Sequence, residues 1–117
     1  MSENWLDADD RPWGRWEEYL NESGYRVKRI IVHPGERLSL QRHALRSEHW
    51  VIVSGSGEFT LDDSVTAVGP GDRVFIPVGG IHRVQNVSSE DLIIIETQLG
   101  VCDEDDIERL EDDYGRA

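Results

Sequence analysis

The sequence predicts an all-β fold, a sandwich or barrel, in a single domain. Three observations carry this expectation. Segments rich in β-branched and aromatic residues recur about every 10 residues, a spacing typical of such folds. Gly, Pro and Asp pairs punctuate them, as at Pro34-Gly35, Asp62-Asp63 and Gly69-Pro70-Gly71. A helical pattern is available in only one stretch, 103–113. The 117 residues suffice for one domain with its own core and leave no room for a second.

The elements follow in order. Tyr25–Val32 alternates and then turns apolar before Pro34-Gly35, and Leu38–His43 alternates with period two. His49–Val53 is a continuous apolar run that stops at Ser54-Gly55-Ser56-Gly57. Glu58–Leu61 runs into the Asp62-Asp63 turn, and Val65–Val68 into Gly69-Pro70-Gly71. Arg73–Ile76 ends at Pro77, Gly79-Gly80 opens His82–Val87, and Leu92–Thr97 is the last clear strand. Residues 103–113 read either as a short helix, capped by Asp103 or Asp105 with Ile107 and Leu110 on one face, or as an acidic turn-rich tail. Trp13, between Pro12 and Gly14, is expected to dock the N-terminal arm on the body.

Charge divides the chain into three. The formal net charge is −12. Residues 1–10, an acidic N-terminal arm, carry four acids and no base; residues 103–117, an acidic C-terminal segment, carry eight acids against Arg109 and Arg116. The body, 11–102, is close to neutral with ten basic and twelve acidic residues. The acidic ends are expected to serve solvation. The basic residues are eleven Arg and only Lys28, a bias toward planar donor forks that suit carboxylate or phosphate. Global acidity excludes nucleic acid as a partner, because phosphate backbones are bound by clustered Lys and Arg. It does not count against a small phosphorylated ligand, since most of it lies outside the body. No apolar run approaches the ~20 residues of a membrane span, and Met1-Ser2-Glu3-Asn4-Trp5 has no basic or apolar leader character. The single cysteine, Cys102, fits a reducing, cytoplasmic compartment.

One constellation carries chemistry. Gln41 and His43 are two apart in a strand-like segment and project from one face. Glu48 opens the next strand, and His82 heads another just past Gly79-Gly80. An amide oxygen, two imidazoles and a carboxylate form a borderline N/O donor set for one divalent ion: Zn²⁺ first, with Mn²⁺, Fe²⁺, Co²⁺ or Ni²⁺ also suited. Trp50 and Ile52 share parity with Glu48 and are expected to line the interior, whereas His49 faces the opposite side. Arg37 and Ser39 share parity with Gln41. Lys28 reads as either a lining or a surface residue, and Asn86 as a hydrogen-bonding turn residue.

The spacing resembles two motifs of the cupins. Gly35, Gln41, His43, Glu48 and Gly55 follow the first, with Gln where His usually stands, and Gly71, Pro77, Gly79, His82 and Asn86 follow the second. The resemblance implies a double-stranded β-helix, or jelly-roll, barrel. It narrows further: Arg11-Pro-Trp-Gly14, Leu38–His43, Ser47-Glu-His-Trp50 and Glu111–Arg116 look like the type II mannose-6-phosphate isomerase module, over residues 11 to 116. That module is the C-terminal part of bifunctional mannose-1-phosphate guanylyltransferases and also occurs alone; without the transferase domain, synthesis of GDP-mannose is not expected. Gln41 resembles the zinc-binding Gln of type I phosphomannose isomerases, which share a Leu-Ser-x-Gln-x-His run. The chain departs from commoner relatives at Ala44-Leu45, where further histidines often follow.

The resemblance implies a metal-dependent isomerase of mannose 6-phosphate and fructose 6-phosphate, with the ion on Gln41, His43, Glu48 and His82. A separate, unassigned residue would carry the proton. Lys28, Arg37, Arg83 and the Ser39 hydroxyl are the candidates for the sugar phosphate. The competing classes are a non-catalytic sugar- or metabolite-binding cupin acting with a separate nucleotidyltransferase, and a metal cupin enzyme of other chemistry. The exposed edge strands of a small jelly roll are compatible with a homodimer.

Overall fold

The computed structural model describes residues 4–117; residues 1–3, with Glu3 of the acidic arm, lie outside the described residues. The strand segments expected between 25 and 97 all form, with ends shifted by a few residues. In chain order the strands are β1 (Asp7–Arg11), β2 (Gly14–Glu22), β3 (Tyr25–Val32), β4 (Leu40–Arg42), β5 (Arg46–Ser54), β6 (Gly57–Leu61), β7 (Ser64–Val68), β8 (Arg73–Ile76), β9 (His82–Asn86), β10 (Leu92–Gly100) and β11 (Glu108–Glu111). They build two antiparallel sheets, ordered β1-β2-β3-β10-β5-β8 and β11-β4-β9-β6-β7. This is the double-sheet jelly roll, in which each strand turns alternate side chains into the space between the sheets.

β5 shows the alternation most clearly. Arg46, Glu48, Trp50 and Ile52 are buried, while His49, Val51 and Val53 face outward. In β10, Leu92, Ile94, Glu96 and Gln98 point inward on the same rule. Ile30, Ile52 and Ile94 from the larger sheet meet Phe59, Val68 and Val84 from the smaller one, and Trp13 is buried with them as expected. Trp50 and Phe59 pack edge to face at 5.4 Å between ring centroids. Each such side chain contributes about 1.5–3 kcal/mol on burial. The apolar half of the interior therefore carries the stability, and the other half is left for polar groups. Asn86 is fully buried and donates through Nδ2 to the carbonyls of Val32 and Glu90, a structural role.

Both acidic ends hold strands beyond those expected, although Asp7, Asp9 and Asp10 stay exposed. Residues 7–22 form the hairpin β1–β2, extending the larger sheet past β3, so residues 7–10 of the N-terminal arm are strand. Its alternation was masked by acids that the fold buries: Glu17 is held by Arg29 and Arg15, and Glu18 by Arg26. No helix forms among the described residues. Residues 108–111 instead pair with β4, because that three-residue strand would otherwise leave the smaller sheet an unpaired edge. The C-terminal acids are ion-pair partners: Glu104 holds Lys28, Glu108 holds Arg42, Asp113 holds Arg37 and Asp112 holds Arg116. Among the described residues no helix is long and apolar enough to cross a membrane.

Candidate metal centre and its cavity

Between the sheets at one end lies a cavity of about 380 Å³. Register places its polar lining. Gln41 is paired with His82 across β4 and β9, and with Arg109 across β4 and β11, so the three side chains share the inner face of the smaller sheet. Glu48 faces them from β5 of the larger sheet, with Gln98 as its neighbour on β10. Glu96 sits between Trp50 and Lys28 on the same sheet.

His43, Glu48 and His82 converge so that one ligand atom from each lies within 4.8 Å of the others. His43 Nε2 is 3.3 Å from Glu48 Oε2, and His82 Nε2 is 4.0 Å from Oε1. Glu48 and His82 are each 1% exposed. Backbone carbonyls orient both rings. Gly79, at φ 79°, occupies the left-handed region that favours glycine, and its N–H donates to the carbonyl of His43 at 2.8 Å. The next carbonyl, Gly80, accepts from His82 Nδ1 at 2.9 Å, and the carbonyl of Asp106 accepts from His43 Nδ1 at 2.7 Å.

Those two hydrogen bonds decide the tautomers. A carbonyl only accepts, so each Nδ1 carries the proton and each Nε2 presents a lone pair toward Glu48. Burial, with the charge of Arg46, pulls His43 down to about 4, and burial lowers His82 as well, so both rings are neutral near pH 7. Two imidazole lone pairs aimed at a carboxylate are three acceptors facing one another, an arrangement that a cation between them resolves. Gln41 lines the same cavity; its Nε2 donates to the carbonyl and hydroxyl of Ser39, leaving Oε1 as its acceptor. The donor chemistry, with backbone carbonyls fixing both rings, fits a divalent cation.

Other residues shape the electrostatics. Arg46 Nε donates to Glu48 Oε2 at 2.9 Å, and its Nη2 lies 3.4 Å from His43 Nε2. Trp50 Nε1 donates to Glu48 Oε1 at 3.0 Å. Burial and the neighbouring Glu48 push the Glu96 carboxyl well above the usual range, and Gln98 Nε2 donates to its Oε1 at 2.7 Å.

Of the candidate ligand-binding residues, Ser39 and Lys28 line the cavity. Lys28 is 3% exposed, lies over the Trp16 ring at 4.1 Å and pairs with Glu104, which settles it as a lining residue. Arg37 and Arg83 lie outside. Arg37 makes a bidentate pair with Asp113, at 2.7 and 2.8 Å, because the returning tail covers that end of the alternating segment. Arg83 points from the opposite face of β9 to His82 and donates to the carbonyl of Leu38 and to Glu111.

Sequence reasoning missed Arg46, Glu96, Arg109 and Arg116, all of which line the cavity. Two were within reach: Arg46 shares parity with Glu48, and Glu96 interrupts an apolar run on its inward parity. The tail arginines carry no local signal, since their position depends on a pairing between segments over sixty residues apart.

Comparison with known proteins agrees with this geometry. The family model described as mannose-6-phosphate isomerase C-terminal matches residues 3–112. Over 108 residues the chain is 46% identical to the alginate biosynthesis protein AlgA of Pseudomonas aeruginosa, covering 92% of this chain and 22% of that protein. It is 42% identical over 108 residues to the mannose-1-phosphate guanylyltransferase ManC of Salmonella typhimurium, with the same coverages. The chain thus spans about a fifth of the length of these curated relatives. Among solved structures, a double-stranded β-helix protein from Klebsiella pneumoniae superposes with a TM-score of 0.72 at 21% identity, covering 82% of this chain and 83% of that one. Bacillus subtilis oxalate decarboxylase OxdC gives 0.76 at 19% identity, covering 90% of this chain and 30% of that one. These likenesses establish the cupin fold. With the matched model spanning nearly all of its residues, the chain belongs to the mannose-6-phosphate isomerase C-terminal family.

Proposed function

We propose that the chain is a metal-dependent isomerase interconverting mannose 6-phosphate and fructose 6-phosphate. The observation that carries this reading is the presence, in one cavity, of a borderline N/O donor set and a second inward carboxyl, Glu96, outside that set. Gln41, His43, Glu48 and His82 would hold one divalent ion, zinc before manganese, iron, cobalt or nickel. When bound, such an ion supplies Lewis-acid polarisation of sugar oxygens.

The chain's own residues account for the rest. Aldose–ketose exchange removes a proton from C2 and returns one to C1, while a hydroxyl proton leaves O2 and another arrives on O1. The carbon-to-carbon transfer needs a carrier that is not a ligand. Glu48 is committed to the donor set, Glu104 is paired with Lys28 and Arg26, and Asp105 is exposed at the rim. Glu96 remains. Gln98 Nε2 orients its Oε1, and Trp50, Ile30 and Leu38 supply apolar wall that keeps water from the carrier. Glu96 takes the C2 proton as carboxylate and returns it to C1 as acid.

The test is a coupled assay of fructose 6-phosphate formation by the purified chain, before and after chelation and with metal restored. Turnover that disappears on chelation and returns with metal is expected. Glu96→Gln should lower kcat by roughly 10²–10⁴ with metal content unchanged. A metal-loaded chain that binds sugar phosphate without turning it over would replace the isomerase reading with that of a binding cupin.

A further inference from the structure

The cavity is more basic than the chain. Its charged lining comprises Arg11, Lys28, Arg46, Arg109 and Arg116 against Glu48, Glu96, Glu104 and Asp105. Lys28 and Arg46 are consumed by Glu104 and Glu48. Arg11 ends β1 at the edge of the larger sheet, Arg109 lies on β11 at the edge of the smaller one, and Arg116 follows β11. Three arginines from the two ends of the chain thus meet at one cavity.

Their states of pairing differ. Arg116 is bound by Asp112 through Nε and Nη2, at 2.7 and 2.9 Å, and Arg11 pairs with Asp9 at 3.3 Å. Arg109 has no ion pair among the described residues, and its Nε is buried with no hydrogen-bond partner. The carboxylates near it, Asp112 and Glu104, are engaged by Arg116 and by Lys28 with Arg26. A buried guanidinium donor left without a partner is costly, and an incoming acceptor would offset that cost. Pairing of Arg109 with Gln41 sets it on the inner face beside the donor set. Burial and the charges of Arg116 and Arg11 also hold the Arg109 guanidinium below its ordinary value.

We propose that Arg109, flanked by Arg11 and Arg116, is an oxyanion subsite that takes the phosphoryl group of a phosphate monoester whose other end reaches the Gln41–His82 donor set. The arginine fork matches the geometry of phosphate oxygens. The assignment of the monoester as a sugar phosphate rests on the isomerase reading; the subsite itself does not.

The test titrates the full chain calorimetrically with inorganic phosphate, mannose 6-phosphate and mannose, and follows mannose 6-phosphate turnover in parallel. Wild type is expected to bind both phosphates and to bind mannose far more weakly. Arg109→Gln should weaken both phosphates about tenfold and raise KM similarly with kcat little changed, while Arg109→Lys recovers part of the loss. Should Arg109→Gln lose its circular dichroism spectrum, Arg11→Gln, on a side chain 33% exposed, is read instead, with about threefold weakening expected. Phosphate affinity unchanged in these variants, or a wild type that binds neither phosphate, overturns the subsite. Arginine-dependent phosphate binding without turnover would uphold the subsite and reject the isomerase. Turnover with KM indifferent to Arg109 would do the reverse.

Discussion

Replacing Asp106 with alanine tests whether the acidic tail is part of the metal centre. The Asp106 carboxylate accepts the backbone N–H groups of Ala44 and Leu45 at 2.9 Å each, and its own carbonyl receives Nδ1–H of His43. Hydrogen bonds to a charged group contribute about 1.5–3 kcal/mol each. Ala44 and Leu45 are exposed, so water replaces the lost acceptor and each bond counts for about 1 kcal/mol, as an ordinary solvent-accessible hydrogen bond does; about 2 kcal/mol for the pair is expected. With an unfolding entropy near 2.1 cal/mol/K per residue over 117 residues, that corresponds to roughly 8 °C in Tm. The carbonyl survives the substitution, but its hold on the segment carrying His43 does not. Zinc affinity should therefore fall about tenfold, the lower bound for loss of an outer-shell support. Urea unfolding and competition with a chromogenic chelator measure the two effects. If stability falls while zinc affinity stays at the wild-type value, the tail does not position His43 and the reasoning fails.

Three further outcomes follow from the same geometry. His82→Ala should cost about a hundredfold or more in zinc affinity, whereas His49→Ala, on the outer face of β5, should leave affinity alone and stability within about 0.5 kcal/mol; equal effects in chelator competition would dismiss the assigned donor set. Gly14→Ala would place a Cβ 1.9 Å from the Ile31 carbonyl oxygen, so urea unfolding should show a loss of about 3 kcal/mol, and a wild-type midpoint would contradict the register of β2 on β3. Arg116 lowers the Asp112 carboxyl to about 2, below its unfolded value near 3.9, so that group's stabilisation is present above pH ~4 and is lost as the pH falls toward 2. The stability gap between wild type and Asp112→Asn should accordingly narrow between pH 5 and pH 2.5, and a gap constant over that interval would remove the linkage.

The inward placement of the candidate donors was legible because period-two alternation is local. Gln41 with His43, and Glu48 with Trp50 and Ile52, face inward for the same backbone reason, and His49 faces out. The β1–β2 hairpin was not legible, because Glu17 and Glu18 read as surface residues until Arg29, Arg15 and Arg26 arrive from other positions to neutralise them. Lys28 was undecidable for the related reason that its burial depends on Glu104, 76 residues away.

The sequence by itself determined an all-β chain, the parity of its core and the identity of the metal-binding candidates, since each rests on contacts between near neighbours. Only the tertiary structure decided the ligand-binding side of the cavity. It turned Arg37 and Arg83 away, brought Arg109 and Arg116 in, and set the carbonyl of Asp106 in the acidic tail against the His43 ring. The physical reason is that charge pairing between distant segments has no signature in either segment alone. A carboxylate in a tail reads as solvated until the fold presents the buried cation or backbone amide that it satisfies.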